Sequence, residues 1–208
     1  MRLLDVLIGL VVVVASGCAR LPYTTTVVHD DPRVRITLQR EMTPAGYAHP
    51  VQVSPQEVAA VLRGLSVRDK QRVPLRWFAE EAPPKPLFRA DEIAVLAAPL
   101  AEGLQKAGPD ERVHFEVLAP GMNPAMGKDV TAGWLAARNG HLVFVPEWVH
   151  TQVPIRKSDT YDYNYPLPPP LPQDYLVYFE PGRFWTRDPR GQYGLEYREF
   201  LRSAATTR

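Results

Sequence analysis

The 208-residue chain contains a single cysteine, Cys18. One thiol cannot form an internal disulfide or a zinc site built mainly from thiolates. Lysine and arginine number 24 against 23 aspartate and glutamate residues, which gives a formal net charge of +1. Because nucleic-acid binding needs a basic surface that displaces counterions from phosphates, this balance argues against nucleic acid as a partner.

Catalytic motifs that can be recognised by their spacing are also missing. The chain has no Gly-x-Ser-x-Gly sequence of a serine hydrolase. No two histidines have the i, i+4 spacing of a zinc-binding helix. We therefore predict no catalytic residue, no metal site and no cofactor, and the sequence favours a protein without enzymatic activity. The five histidines are His29, His49, His114, His141 and His150.

One arrangement leaves enzymatic activity open. His114 and Glu116 share a face of a predicted strand, and His141 begins another predicted strand. If these strands were paired, the three side chains could converge on a metal or an acid–base site. A polar strand face exposed to water produces the same pattern.

The chain lacks a hydrophobic run of the usual membrane-spanning length, which is about 20 residues. The apolar stretch from Val6 to Val14 ends at Ala15-Ser16-Gly17. A short charged start, a brief apolar run and a small-residue exit are typical of a secretory signal peptide. An uncleaved anchor helix is the alternative.

The sequence Ala15-Ser16-Gly17-Cys18 resembles the lipobox of bacterial lipoproteins, with Ala15 in the place of the usual leucine. The resemblance implies that residues 1–17 are removed and that Cys18 carries acyl chains such as palmitate. Two or more acyl chains hold a protein firmly on a membrane. The residue after the cysteine is Ala19 and not aspartate, which resembles the outer-membrane sorting signal of enterobacterial lipoproteins. We expect a lipid-anchored protein of the bacterial cell envelope that faces the periplasm.

Proline is unusually abundant, with 22 residues where average usage would give about half that number. Prolines cluster at 83–86 and at 166–172, and both clusters indicate extended connectors. The polar segment 18–31 is predicted to be a lipidated tether. Residues 32–208 are predicted to form a single α+β domain with a proline- and tyrosine-rich loop at 158–174.

Two helices and several strands are predicted inside this domain. Ser54-Pro55-Gln56-Glu57 begins a helix with a capping box, and a second helix spans Ala90 to Ala107. Asn139-Gly140 between two apolar runs is a strong hairpin signal. The fold class is therefore α+β, an antiparallel sheet of about 4–6 strands with two helices packed on one face. Further strands are predicted at 34–38, 112–117 and 175–179, and a short C-terminal helix after Gly194.

Two segments are candidate partner-binding surfaces. The first combines tyrosines at alternate positions with a proline run, and proline-rich rods are recognised by aromatic grooves. This segment could instead cover apolar surface within the same molecule. The second has arginines around aromatic rings, or it is a turn whose rings enter the core while the arginines face water. The candidate residues are Tyr161, Tyr163, Tyr165, Pro168, Pro169, Pro170, Arg183 and Trp185.

The predicted function is a non-enzymatic binding or scaffold domain, with the membrane and an envelope protein as its expected partners. One alternative is a periplasmic hydrolase that acts on cell wall or glycan. Another is a carrier for a small apolar ligand, which needs a cavity between the sheet and the helices. Leu62, Leu96 and Leu100 would have to leave that space open.

Overall fold

The computed structural model describes residues 25–70, 83–120, 127–154 and 174–206, which form ten strands, three α-helices and one 3-10 helix. The strands are β1 (Thr25–Asp30), β2 (Val34–Arg40), β3 (Leu65–Asp69), β4 (Lys85–Pro86), β5 (Glu111–Pro120), β6 (Gly127–Arg138), β7 (His141–Pro154), β8 (Tyr175–Phe179), β9 (Trp185–Arg187) and β10 (Tyr193–Leu195). The helices are α1 (Pro55–Gly64), α2 (Ala90–Lys106), α3 (Tyr197–Thr206) and the 3-10 helix Gly182–Phe184.

The strands form two antiparallel sheets. The larger sheet has seven strands in the order β1-β2-β5-β6-β7-β10-β9, and the smaller has three in the order β4-β3-β8. The α+β class is confirmed, whereas the predicted 4–6 strands and two helices are too few. Strands β4, β9 and β10 are only two or three residues long. Such short strands leave no readable alternation in a sequence.

The first described strand corrects the predicted tether at 18–31. Thr25–Asp30 pairs with β2 from Thr25 opposite Gln39 to Asp30 opposite Arg35. Threonine and valine fit a pleated, half-buried surface well, so this polar segment completes the sheet edge. Asp31 then accepts hydrogen bonds from the backbone N–H groups of Arg33 and Val34 in the turn.

Helix α1 begins where its capping signals predict. The Ser54 hydroxyl accepts from the Glu57 N–H at 3.3 Å, and the Glu57 carboxylate accepts from the Ser54 N–H at 2.7 Å. Helix α2 is continuous through Pro99 and ends at Lys106, one residue before the predicted end. Both predicted helices are confirmed.

The predicted hairpin at Asn139-Gly140 joins β6 to β7. Asn139 has φ of 48° and Gly140 has φ of 83°, the positive values that a type I′ turn requires. The strands at 34–38, 112–117 and 175–179 are confirmed as parts of β2, β5 and β8. The C-terminal helix is confirmed as α3.

One face of the larger sheet packs on the helices. Ile36, Phe115 and Leu135 point into this core from the sheet, each at most 1% exposed. The helices α1 and α2 contribute Leu62, Leu96 and Leu100 to the same cluster, and α3 adds Tyr197. Within the described ranges, no helix is both long and apolar enough to cross a membrane.

Candidate functional site

Most of the predicted site residues lie outside the part of the chain that the structure describes. Cys18 falls in 1–24, and Tyr161, Tyr163, Tyr165 and Pro168–Pro170 fall in 155–173. Their assignments stay predictions. Arg183 and Trp185 are described, and they lie at the outer end of the larger sheet.

Arg183, Trp185, Arg187 and Tyr193 form what we call the edge surface. The Trp185 and Tyr193 rings are stacked, with centroids 6.4 Å apart and planes 7° apart. The Arg187 guanidinium lies 4.7 Å from the Tyr193 ring centroid, and Arg183 lies 4.7 Å from that of Phe184. Tyr193 is 47% exposed. Each arginine is held over a ring while its N–H groups remain able to donate to a ligand.

A tight turn between β9 and β10 brings Trp185 and Arg187 beside Tyr193. The Asp188 carboxylate accepts from the N–H groups of Arg190 and Gln192, both at 2.9 Å. Gly191 completes the turn at φ of 79°, a conformation that glycine adopts without strain. Phe184 is buried while Trp185 is half-buried, so the structure combines features of both interpretations of this segment.

His114, Glu116 and His141 do not form a common site. His114 Nε2 lies 3.2 Å from the Glu147 carboxylate, whereas His141 Nε2 lies 2.8 Å from the Thr186 hydroxyl. On β6, the residues opposite His114 and His141 are Trp134 and Arg138. Four residues along a strand correspond to about 13 Å.

A different group of polar residues meets between α2 and the larger sheet. We call Arg89, Glu92, Asp129, Thr131 and His150 the buried charged cluster. Arg89 Nη2 lies 2.7 Å from Asp129 Oδ2, and Arg89 Nη1 lies 3.7 Å from Glu92 Oε1. His150 Nδ1 lies 3.6 Å from Glu92 Oε1 and 3.3 Å from Thr131 Oγ1.

The cluster contains two buried carboxylates and one guanidinium in contact with them. Glu92 is 1% exposed and Asp129 is 8% exposed. Asp129 Oδ1 is buried and has no hydrogen-bond partner. Glu92 Oε2 accepts from the Arg89 N–H at 2.8 Å and so caps the first turn of α2. A buried acceptor without a hydrogen-bond partner costs free energy of folding.

The environment shifts the pKa values of two groups in opposite directions. Burial raises the pKa of Glu92 above its ordinary value, although the Arg89 N–H and guanidinium oppose the rise. Burial lowers the pKa of His150, and the charge of Arg89 lowers it further. Desolvation disfavours the charged form of each group, so it brings the pKa of the acid and the pKa of the base closer together.

Sequence reasoning missed this cluster because its contacts are non-local. Arg89 and Asp129 are 40 positions apart. Glu92 was predicted only as part of the second helix, and an acid in a first turn is ordinarily explained by the helix dipole. His150 was noted only as one of five scattered histidines. No local pattern signals that these four side chains would meet.

Within the described ranges, buried side chains fill the core between the sheet and the helices. A cavity of about 20 Å³ lies beside Leu62, Leu100 and Phe144, and Leu96 is fully buried in the same core. One water molecule needs about 10–15 Å³, so this cavity has no room for an organic ligand. This observation weighs against the apolar-carrier alternative.

The chain matches no protein-family model, and comparisons with curated proteins and with solved structures found no similar protein. Across the described residues, no group of three or more histidine, cysteine, aspartate or glutamate side chains has the geometry of a metal site. Function must therefore be argued from the edge surface and from the buried charged cluster.

Proposed function

We propose that this chain is a lipid-anchored protein of the bacterial envelope whose domain binds or scaffolds an envelope protein without catalysis. The anchor is proposed from the sequence around Cys18, and the expected location is the outer membrane, facing the periplasm. The observation that supports a binding role is the edge surface, where Tyr193 is exposed and two arginines are held over aromatic rings.

The position of the edge surface suits an anchored binding protein. The described chain begins in β1 at one edge of the seven-stranded sheet, and β9 forms the other edge. Six strand spacings separate them, which corresponds to about 29 Å. A membrane anchor that precedes β1 therefore leaves the edge surface free to meet a partner.

The chemistry of the edge surface also favours a protein partner. Tryptophan, tyrosine and arginine are the residues that most often dominate protein interfaces. Arg187 is already placed by its contact with Tyr193, so less side-chain entropy is lost when it binds a carboxylate. The proline- and tyrosine-rich segment, with Tyr163, Tyr165 and Pro168–Pro170, is proposed as a second contact region.

The test begins with crosslinked co-purification of the full chain from native membranes. A stoichiometric partner would then be purified, and its Kd for the full chain measured in detergent. We expect Arg187→Glu combined with Tyr193→Ser to weaken this binding at least tenfold, because both changes remove contacts at an interface hot spot. A separate variant replaces Tyr163, Tyr165 and Pro168–Pro170 with serine.

The matched control combines Val27→Ser with Arg63→Glu, which makes the same kinds of change at exposed positions away from the edge surface. The control should bind as wild type does. Loss of binding only in the serine variant would assign recognition to the proline- and tyrosine-rich segment. If no partner is recovered, the proposed binding role is wrong, and if all variants bind equally, neither the edge surface nor the proline- and tyrosine-rich segment is the binding site.

A further inference from the structure

The buried charged cluster lies at a bulge in the β6–β7 ladder. Val130 is opposite Thr151 and Ala132 is opposite Trp148, so Thr131 faces the two residues Val149 and His150. His150 has φ of 50°, a conformation that a residue with a side chain adopts only when its surroundings enforce it. The bulge directs the His150 ring toward Glu92 on α2.

His150 Nδ1 has two alternative kinds of partner at this position. In the neutral ring this nitrogen can accept a hydrogen bond from the Thr131 hydroxyl, which is 3.3 Å away. In the protonated ring it can only donate. The acceptors around it are then Thr131 Oγ1 at 3.3 Å, Glu92 Oε1 at 3.6 Å and Asp129 Oδ2 at 4.0 Å, of which the last two are carboxylate oxygens.

We propose that the buried charged cluster is a proton-binding switch, in which a proton taken up from solvent at His150 turns Nδ1 from an acceptor of the Thr131 hydroxyl into a charged donor that faces Glu92 and Asp129. The protonated ring supplies the positive charge that the two carboxylates lack beside Arg89. The switch links the β6–β7 bulge to the first turn of α2. The His150 side chain is 18% exposed, which gives the proton a route from solvent.

Several charged groups bias this switch. Arg89 and Lys85 lower the pKa of His150, whereas Asp129 and Asp91 raise it. Asp91 is exposed and paired with Arg33 at 3.0 Å. From β8, the Tyr175 hydroxyl accepts the Val149 N–H at 3.1 Å, and burial raises the pKa of this tyrosine.

Glu92 and His150 have opposite effects on the pH dependence of stability. The pKa of His150 in the folded state is below its ordinary value of 6.5. The folded state therefore binds fewer protons than the unfolded state and loses stability as the pH falls from 6.5 toward the folded pKa. The folded pKa of Glu92 is above 4.5, so the folded state binds more protons and gains stability as pH falls toward 4.5.

The test is a histidine NMR titration of the full chain in detergent between pH 7.5 and 4, with His150 assigned from the signal lost in His150→Gln. We expect the His150 midpoint to lie below 6.5. Glu92→Gln, which can still cap α2, should lower that midpoint by about one pH unit because an opposite charge within 4–6 Å is removed. The backbone amides of Thr131 and Glu92 should shift with the same midpoint as His150.

The matched control is Glu147→Gln, which removes the partner of His114 on the other face of the sheet. It should leave the His150 midpoint unchanged. A second variant, Asp129→Asn, should also lower the His150 midpoint, and its near-ultraviolet circular dichroism checks that it folds. The proposal is overturned if His150 does not titrate above pH 4, if neither variant moves its midpoint, or if the Thr131 and Glu92 amides do not respond.

Discussion

At the scale of single residues, His49 shows how burial decides a charge. The residue is 9% exposed, and its Nε2 accepts from the Ala137 N–H at 3.3 Å. Its Nδ1 is buried without a hydrogen-bond partner. Burial lowers the pKa of His49 to about 4, so the ring is neutral at pH 7. The neutral ring attaches the segment before α1 to the end of β6.

We expect His49 to make the protein less stable in mild acid. The folded pKa is about 4 against an ordinary value of 6.5, so the unfolded state binds more protons between these values. Stability is full above pH 6.5 and falls as the pH decreases toward 4, by about 3 kcal/mol for this group. Urea unfolding at pH 7.5 and 4.5 measures the loss.

His49→Gln is the variant that isolates this effect, because its amide oxygen can still accept from Ala137. The stability difference between pH 7.5 and 4.5 should be smaller in this variant by about 2 kcal/mol. His29→Gln is the control, since His29 is near the surface and paired with Asp31. An unchanged pH dependence in His49→Gln would contradict the assignment.

At the scale of elements, the β6–β7 hairpin organises the buried charged cluster. Its Asn139-Gly140 turn fixes which residues of the two strands face each other. The register shifts twice, at Val130/Ala132 and at Ala132/Gly133. The first shift places His150 in the buried charged cluster. The second lies at Gly133, where the β7 backbone approaches very closely.

Gly133→Ala should destabilise the protein by about 2 kcal/mol, as expected when a core is overpacked. A Cβ at this position would lie 2.5 Å from the Val145 carbonyl oxygen and 2.8 Å from Pro146 Cα. These are backbone atoms of the partner strand, so they cannot move away without disturbing the ladder. Chemical denaturation of the purified variant measures the change.

Gly182→Ala provides the comparison, because a Cβ there meets no atom within 4 Å. Its stability should stay within about 0.5 kcal/mol of wild type. If the two alanine variants were equally stable, the close approach at Gly133 would not be a packing constraint.

At the scale of the whole molecule, the two edges of the larger sheet have different roles in the proposed function. Strand β1 is the first described element, and it follows the predicted lipidation site. Strand β9 carries the edge surface at the opposite end of the sheet. The order of the strands therefore places the proposed anchor and the proposed binding surface at opposite edges of the sheet.

Cys18→Ala should release the protein from membranes, because no acyl chain can be attached without the thiol. Fractionation of cells that express the full chain, followed by a carbonate wash of the membranes, measures this. The thermal unfolding midpoint of the domain should stay unchanged. Retention of Cys18→Ala as firm as that of wild type would contradict lipid anchoring and favour an uncleaved anchor helix.

Local signals in the sequence predicted the elements that depend on neighbouring residues. The Ser54–Glu57 capping box marked the start of α1, and Asn139-Gly140 marked the hairpin. Strand β8 was predicted with its observed ends, since a run of five apolar and aromatic residues was enough. The short strands β9 and β10 could not be predicted, because β10 depends on pairing with β7, and β9 on pairing with β10, rather than on their own pattern.

The sequence by itself determined the α+β class, the two long helices and the central hairpin, because each follows from periodicity, capping or turn chemistry within a few residues. Only the tertiary structure decided that Arg89, Glu92, Asp129 and His150 meet in a buried cluster, and that His114 and His141 stay apart. Burial and strand register create those contacts between distant positions. Burial and strand register are properties of the folded chain, and the spacing of residues along the sequence does not predict either of them.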